Sequence, residues 1–139
     1  MDYRLDELSL TLPDGAWEDR SAHDLIVRAP DGSALRLVVD RDDPVAPEGL
    51  AARIDADLGR ESRRLPGFEL LGRWPLEHRD ATAIGLRFRV TTPKGVVHNE
   101  VAYLALPSAL LVFTVTAPAA HGGACVEVVQ QLIATMALR

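Results

Sequence analysis

The stretch ATAIGLRFRVTTPKGVVHNEVAYLALPSALLVFTVTA, residues 81–117, decides the fold of this chain. Apolar and polar residues alternate over 84–91, which is the period of a half-buried β-strand. A turn is predicted at 91–95, because its proline fixes φ and its glycine permits a positive φ. A second strand is expected over 96–106 and, after a Pro-Ser break, a third over 110–116.

The third of these strands is apolar on both faces. Leu111, Phe113 and Val115 point one way, while Leu110 and Val112 point the other way. A strand of this kind lies in the middle of a sheet that is covered on both sides. The sequence therefore raises the question of what covers the second face.

Composition places the chain among ordinary globular proteins. With 139 residues, of which 47% are hydrophobic and 25% charged, we expect one domain over residues 1–139. The net charge of −5 argues against a nucleic-acid binder. A single cysteine, Cys125, indicates a reducing compartment. We find neither the pattern of a signal peptide nor an apolar run of membrane-spanning length, so we expect a cytoplasmic protein.

Elsewhere the patterns predict further strands and two helices. A kinked strand is expected over residues 3–12, a hairpin over 24–28 and 34–40, and an edge segment containing Pro75 over 68–78. Apolar residues at helical spacing predict one helix from about 47 to 65 and another from 124 onward. This order is typical of an α+β fold with a mostly antiparallel sheet of about six strands. We expect both helices to cover the same face.

Residue types that carry catalysis or bind metals are scattered. The histidines show no metal-ligand spacing, and no nucleophile motif or phosphate loop is present. The four histidines are His23, His78, His98 and His121. Cys125 lies on the apolar stripe of the last helix, where a buried structural thiol is expected. We therefore predict no enzyme, no metal and no cofactor, and we leave open a small-pocket enzyme that would use His98 and Glu100.

The sheet face away from the helices is the sharpest feature of the sequence. By alternation it is a mixture of apolar and polar residues, and we expect it to be an interface unless the N-terminal segment covers it. Its expected members are Ile26, Arg36, Val38, Asn99, Val101, Leu110, Val112, Thr114 and Thr116.

Four short motifs in the same order resemble the Eag chaperones, which belong to the DUF1795 (DcrB-like) group of bacterial type VI secretion proteins. They are Leu12-Pro13 with Trp17, Asp19 and Ser21; Val39-Asp40-Arg41-Asp42; Leu65-Pro66-Gly67-Phe68; and residues 111–116. The resemblance covers nearly the whole chain. It implies a Mog1/PsbP-like fold, an antiparallel curved β-sheet flanked by two helices, and a cytoplasmic homodimer shaped like cupped hands.

The resemblance also implies a function. A concave hydrophobic groove would shield the N-terminal transmembrane helices of a PAAR or Rhs effector until it is loaded on the secretion spike. No enzymatic activity, nucleic-acid partner or direct membrane insertion is implied. The family's groove positions fall near Ile26, Arg36, Val38, Asp57 and Val101, and we add Asn99 and Thr114 from the same face. The alternative is a DcrB- or Mog1-like protein-binding module without a transmembrane client.

Overall fold

The computed structural model describes residues 2–4, 8–11, 18–21, 24–28, 33–79 and 81–138. These residues form ten strands and two α-helices, and each helix is preceded by a short 3₁₀ turn. In chain order the elements are β1 (Asp2–Arg4), β2 (Leu8–Thr11), β3 (Glu18–Ser21), β4 (Asp24–Arg28), β5 (Ala34–Asp42), α1 (Leu50–Arg64), β6 (Glu69–Leu76), β7 (Thr82–Thr92), β8 (Gly95–Ala105), β9 (Leu110–Pro118), α2 (Gly122–Thr135) and β10 (Ala137–Leu138).

Seven strands form one antiparallel sheet in the order β3-β4-β5-β9-β8-β7-β6, so β9 is its central strand. The predicted α+β fold, with an antiparallel sheet flanked by two helices, is therefore confirmed, with one strand more than expected. The N-terminal prediction is wrong in one respect. Instead of one kinked strand over 3–12, β1 and β2 pair with each other antiparallel, and β2 also pairs with β10. Trp17 lies outside the described residues.

The two helices pack on opposite faces of the large sheet, so the expectation that they share a face is wrong. Leu111, Phe113 and Val115 of β9 belong to a core with α2. Leu110 of the same strand belongs to a second core with Leu50 and Ile54 of α1. The physical reason is β9 itself, because a strand that is apolar on both faces requires apolar cover on each.

Strand β6 ends the sheet as an edge, which confirms the position predicted from Pro75. Its pairing with β7 shifts register between Leu70 and Gly72. A bulge and a proline are two of the features by which edge strands avoid pairing with other chains.

The end of α1 is fixed to β7 by a glycine turn. The backbone N–H of Thr91 donates to the carbonyl of Pro66 at 2.9 Å. Gly67 has a φ of +61°, and a Cβ atom at this position would collide with the Thr91 side chain. Glycine is therefore required here both for backbone conformation and for close approach.

We expect Gly67→Ala to lower the free energy of unfolding by about 2 kcal/mol or more, because strain at positive φ adds to the collision. The matched control is Gly59→Ala at a partly exposed position inside α1, where a Cβ atom meets no atom of another element within 4 Å. That change should raise the free energy of unfolding by about 0.5–1 kcal/mol. Urea denaturation measures both, and equal effects of the two substitutions would contradict this account of the turn.

Candidate functional site

Cross-strand register brings the predicted interface residues of the sheet onto one face, the face on which α1 packs. Directly paired residues in antiparallel strands point to the same side, so each row can be read from the register. The two neighbouring rows are Ile26–Arg36–Thr116–Asn99 and Val38–Thr114–Val101.

Helix α1 covers only part of this face. Leu110 and Val101, which we expected on an open surface, are buried in the core beneath α1. What remains open is a cleft of about 730 Å³ between α1 and the sheet, which we call the α1 cleft. Its floor combines three polar side chains, Asn99, Thr114 and Thr116, with an apolar set: Leu86, Phe88, Val90, Val97, Val101 and Val112.

The wall of the α1 cleft is formed by the second half of α1 and carries charges. Arg60, Glu61 and Arg64 line it together with Leu58. Arg64 donates to Glu61 at 2.6 Å, so these charges are paired along the helix surface. The cleft therefore has a mainly apolar floor, with three polar side chains, and a charged side wall.

A buried carboxylate joins α1 to the sheet at the edge of the cleft. Asp57 is only 8% exposed and accepts a hydrogen bond from the Tyr103 hydroxyl of β8 at 2.8 Å. It also accepts from Arg53 Nε at 3.1 Å and from an Arg60 nitrogen at 3.1 Å. Arg53 in turn donates to Asp42 at the end of β5 at 2.9 Å. These contacts satisfy a charge that would otherwise be costly to bury.

Burial, reinforced by the hydrogen bond to Asp57, raises the pKa of Tyr103 above its ordinary value. The hydroxyl therefore remains protonated, and able to donate, throughout the neutral pH range. A protonated donor facing a doubly paired carboxylate makes this contact a fixed part of the structure at physiological pH.

The seven predicted groove residues differ in how accessible they are. Four of them line the α1 cleft: Asp57, Asn99, Val101 and Thr114. Val38 is half-buried beside Thr114. Ile26 is buried, and Arg36 is exposed and bound through two hydrogen bonds to Asp24. Their role in binding a client stays a prediction.

Sequence reasoning missed the partners of Asp57. No ion pair is predicted from the sequence for α1, although Arg53, Asp57 and Arg60 have the i, i+4 and i, i+3 spacing of helical ion pairs. Tyr103 could have been found by alternation, since it lies two residues after Val101 on the same strand face.

The residues of the small-pocket enzyme alternative lie on the other face, beneath α2. Glu100 and His98 are both buried, and His98 Nε2 lies 2.8 Å from Glu100 Oε1. Arg87 also donates to Glu100, and its guanidinium lies 5.0 Å from the ring centre of Trp74. Gly122 packs so closely on the His98 ring that a Cβ atom there would come within 2.8 Å of Nδ1. These contacts make His98 and Glu100 parts of the α2 core.

Cys125 also lies in the α2 core, as predicted, and is a free, fully buried thiol. Burial and the nearby Glu100 carboxylate raise its pKa to about 12. Such a thiol is almost entirely protonated at neutral pH and is a poor nucleophile.

The part of the chain that the structure describes contains no group of three or more side chains arranged to hold a metal ion. Within the same residues, neither helix has the combination of length and apolar character that a membrane span needs.

Solved structures define the fold type. The chain is similar to the Ran-binding protein Mog1p of Saccharomyces cerevisiae, with a TM-score of 0.67, 13% identity and coverage of 99% of this chain and 94% of Mog1p. It is also similar to the PsbP protein of the cyanobacterium Synechocystis, with a TM-score of 0.63, 13% identity and coverage of 100% and 92%. The fold is therefore of the Mog1/PsbP type, as the resemblance implied.

The chain belongs to the DcrB family, whose sequence profile matches residues 7–135. It is also similar to PA94 of Pseudomonas aeruginosa, a protein of unknown function described as a candidate regulator. The two chains are 26% identical with a TM-score of 0.65, and the match covers 96% of this chain and 95% of PA94. A search of curated protein sequences gives no significant match.

We expect Glu100→Gln to lower the free energy of unfolding by about 2 kcal/mol, because it removes the charge that pairs with Arg87 and His98. The control is Glu69→Gln on the exposed edge strand, which should change that free energy by less than about 0.5 kcal/mol. Urea denaturation of both variants decides. A fully stable Glu100→Gln protein would contradict a structural role for the buried carboxylate.

Proposed function

We propose that this protein is a chaperone that holds the apolar N-terminal helices of a type VI secretion effector in the α1 cleft before export. In this proposal it acts in the cytoplasm and aids the loading of the effector on the secretion spike. The observation that carries the proposal is the apolar floor of the α1 cleft, which the described residues of the chain leave open beside α1. The ordered motifs shared with Eag chaperones and membership of the DcrB family support it.

The physical basis is the hydrophobic effect. Each Å² of apolar surface that a transmembrane helix exposes to water costs roughly 25 cal/mol of free energy. The half-buried floor residues Phe88, Val97 and Val112 recover that free energy without requiring one exact client sequence. Asn99, Thr114 and Thr116 supply hydrogen-bonding groups of the kind that neighbouring helices use inside a membrane. This is recognition of a helix in a groove.

The size of the cleft supports the homodimer that we also propose. A 20-residue helix about 30 Å long and about 10 Å wide has a volume of about 2,400 Å³, whereas the α1 cleft measures about 730 Å³. One protomer therefore covers one side of a helix, and a second protomer facing it would enclose the rest. A monomeric mass in solution, measured with and without client, would contradict this part of the proposal.

The second candidate function is binding of a folded protein without a transmembrane client. The charged wall formed by Arg60, Glu61 and Arg64 favours it, because paired charges at a rim are suited to a polar protein surface. Mog1p, of the same fold, is a Ran-binding protein. The two candidates differ in whether the partner contributes an apolar helix.

We expect Val38→Asp to reduce the amount of client that co-purifies by about tenfold or more, since a carboxylate buried against an apolar helix costs at least about 1.4 kcal/mol. The assay is co-expression with the apolar N-terminal region of an effector encoded beside this chain, followed by affinity purification and a check of the unfolding midpoint. Ile26→Asp, the other choice suggested by the sequence, is unsuitable because Ile26 is buried.

The matched control is Val96→Asp, which places the same charge on an exposed valine on the other face of the sheet. That variant should retain the client. Equal retention by both variants would contradict binding at the side of the α1 cleft where Val38 pairs with Thr114. Retention of an effector fragment that lacks its apolar segment would favour the second candidate function.

A further inference from the structure

Fully buried apolar contacts hold only the first half of α1 against the sheet. Leu50 and Ile54 are completely buried, whereas Leu58 and Leu65 in the following turns are only partly buried. The far end of the helix is attached to β7 through the turn at Gly67. Between these two attachments the second half of α1 lines the α1 cleft.

Asp57 stands where the apolar stripe of α1 should continue. Asp57 follows Leu50 at i+7 and Ile54 at i+3, next to the half-buried Leu58, and an amphipathic helix normally fills such a position with an apolar residue. Its carboxylate accepts hydrogen bonds from Tyr103, Arg53 and Arg60. Asp57 could move closer to the apolar floor only by losing these bonds, which is unfavourable for a buried charge.

We propose that Asp57, together with Tyr103, is a polar spacer that keeps the second half of α1 away from the sheet and thereby sets the width of the α1 cleft. Asp57 is then a positioning residue: its own chain already occupies its carboxylate, so it acts on a bound helix through the placement of α1. As a statement about a client site this rests on the proposed function, but the opening of the cleft is measured without a client.

The spacer accounts for a buried polar pair that stability alone does not favour. Replacing a buried ionic network by well-packed apolar residues is often neutral or stabilising. With two apolar residues at positions 57 and 103, the second half of the helix would gain by packing on the half-buried floor residues Phe88 and Val112. The expected consequence is a protein of equal or higher stability whose cleft is closed.

Thiol accessibility measures that opening directly. Thr114 is half-buried in the floor of the cleft, so Thr114→Cys introduces a thiol that a maleimide reagent reaches only through the open cleft. The native Cys125 gives little background, because it is fully buried and its pKa is raised to about 12. The rate of alkylation is compared in three further backgrounds: Asp57→Leu with Tyr103→Phe, Asp57→Asn, and Asp55→Asn.

Asp57→Asn retains an oxygen that accepts from Tyr103, so it should keep the cleft open and the rate within about twofold of the parent. Asp55→Asn is the control, since Asp55 lies on the same helix, is exposed and pairs with Arg73 away from the cleft. The double apolar variant should fold, and its thiol should react at least about tenfold more slowly, because a closed cleft must open locally before alkylation.

A folded double variant that reacts as fast as its parent would overturn the inference. If the double variant does not fold, Tyr103→Phe alone decides: a slower reaction supports the spacer and an unchanged rate overturns it. The proposed function is tested by a different result. If the double variant reacts slowly but the parent protein binds no client, the spacer stands and the chaperone role is contradicted.

Discussion

The central strand β9 is the constraint on which the rest of the structure depends. Its alternate residues are apolar on both sides, so Leu111 and Phe113 require cover on one face and Leu110 requires it on the other. One helix meets each requirement. The cover is unequal, because α2 presents a broad apolar stripe, whereas α1 presents chiefly Leu50 and Ile54. The cleft beside α1 is the result of that inequality.

The two faces of the sheet use buried charge for different purposes. Beneath α2, Glu100 is buried with His98 and also binds Arg87, and its contacts join β8 to β7. Beneath α1, Asp57 lies at the border of an open space and connects the helix to Tyr103. A buried carboxylate that is fully enclosed is a structural element, while one at the rim of a cleft also shapes the surface that a partner meets.

Much of the fold could be predicted from the sequence because its signals are local. Alternation over 84–91, the Thr-Pro-Lys-Gly turn and the two-faced strand at 110–116 each specify structure within a few residues. The placement of the helices could not be predicted in this way, since the face that a helix covers depends on packing between distant segments. Alternation also assigns the side chains of Asn99 and Thr114 to a common face of the sheet. It could not predict the contact between Asp57 and Tyr103, which are 46 positions apart in the chain.

Methyl NMR of the protein with a bound apolar N-terminal helix of its effector tests the central claim most directly. Val101 and Val112 lie on the floor of the α1 cleft, whereas Val115 and Val129 lie in the core beneath α2. The account predicts that client binding shifts the methyl resonances of the first pair and leaves those of the second pair in place. Shifts confined to the α2 side, with the cleft resonances unchanged, would contradict it.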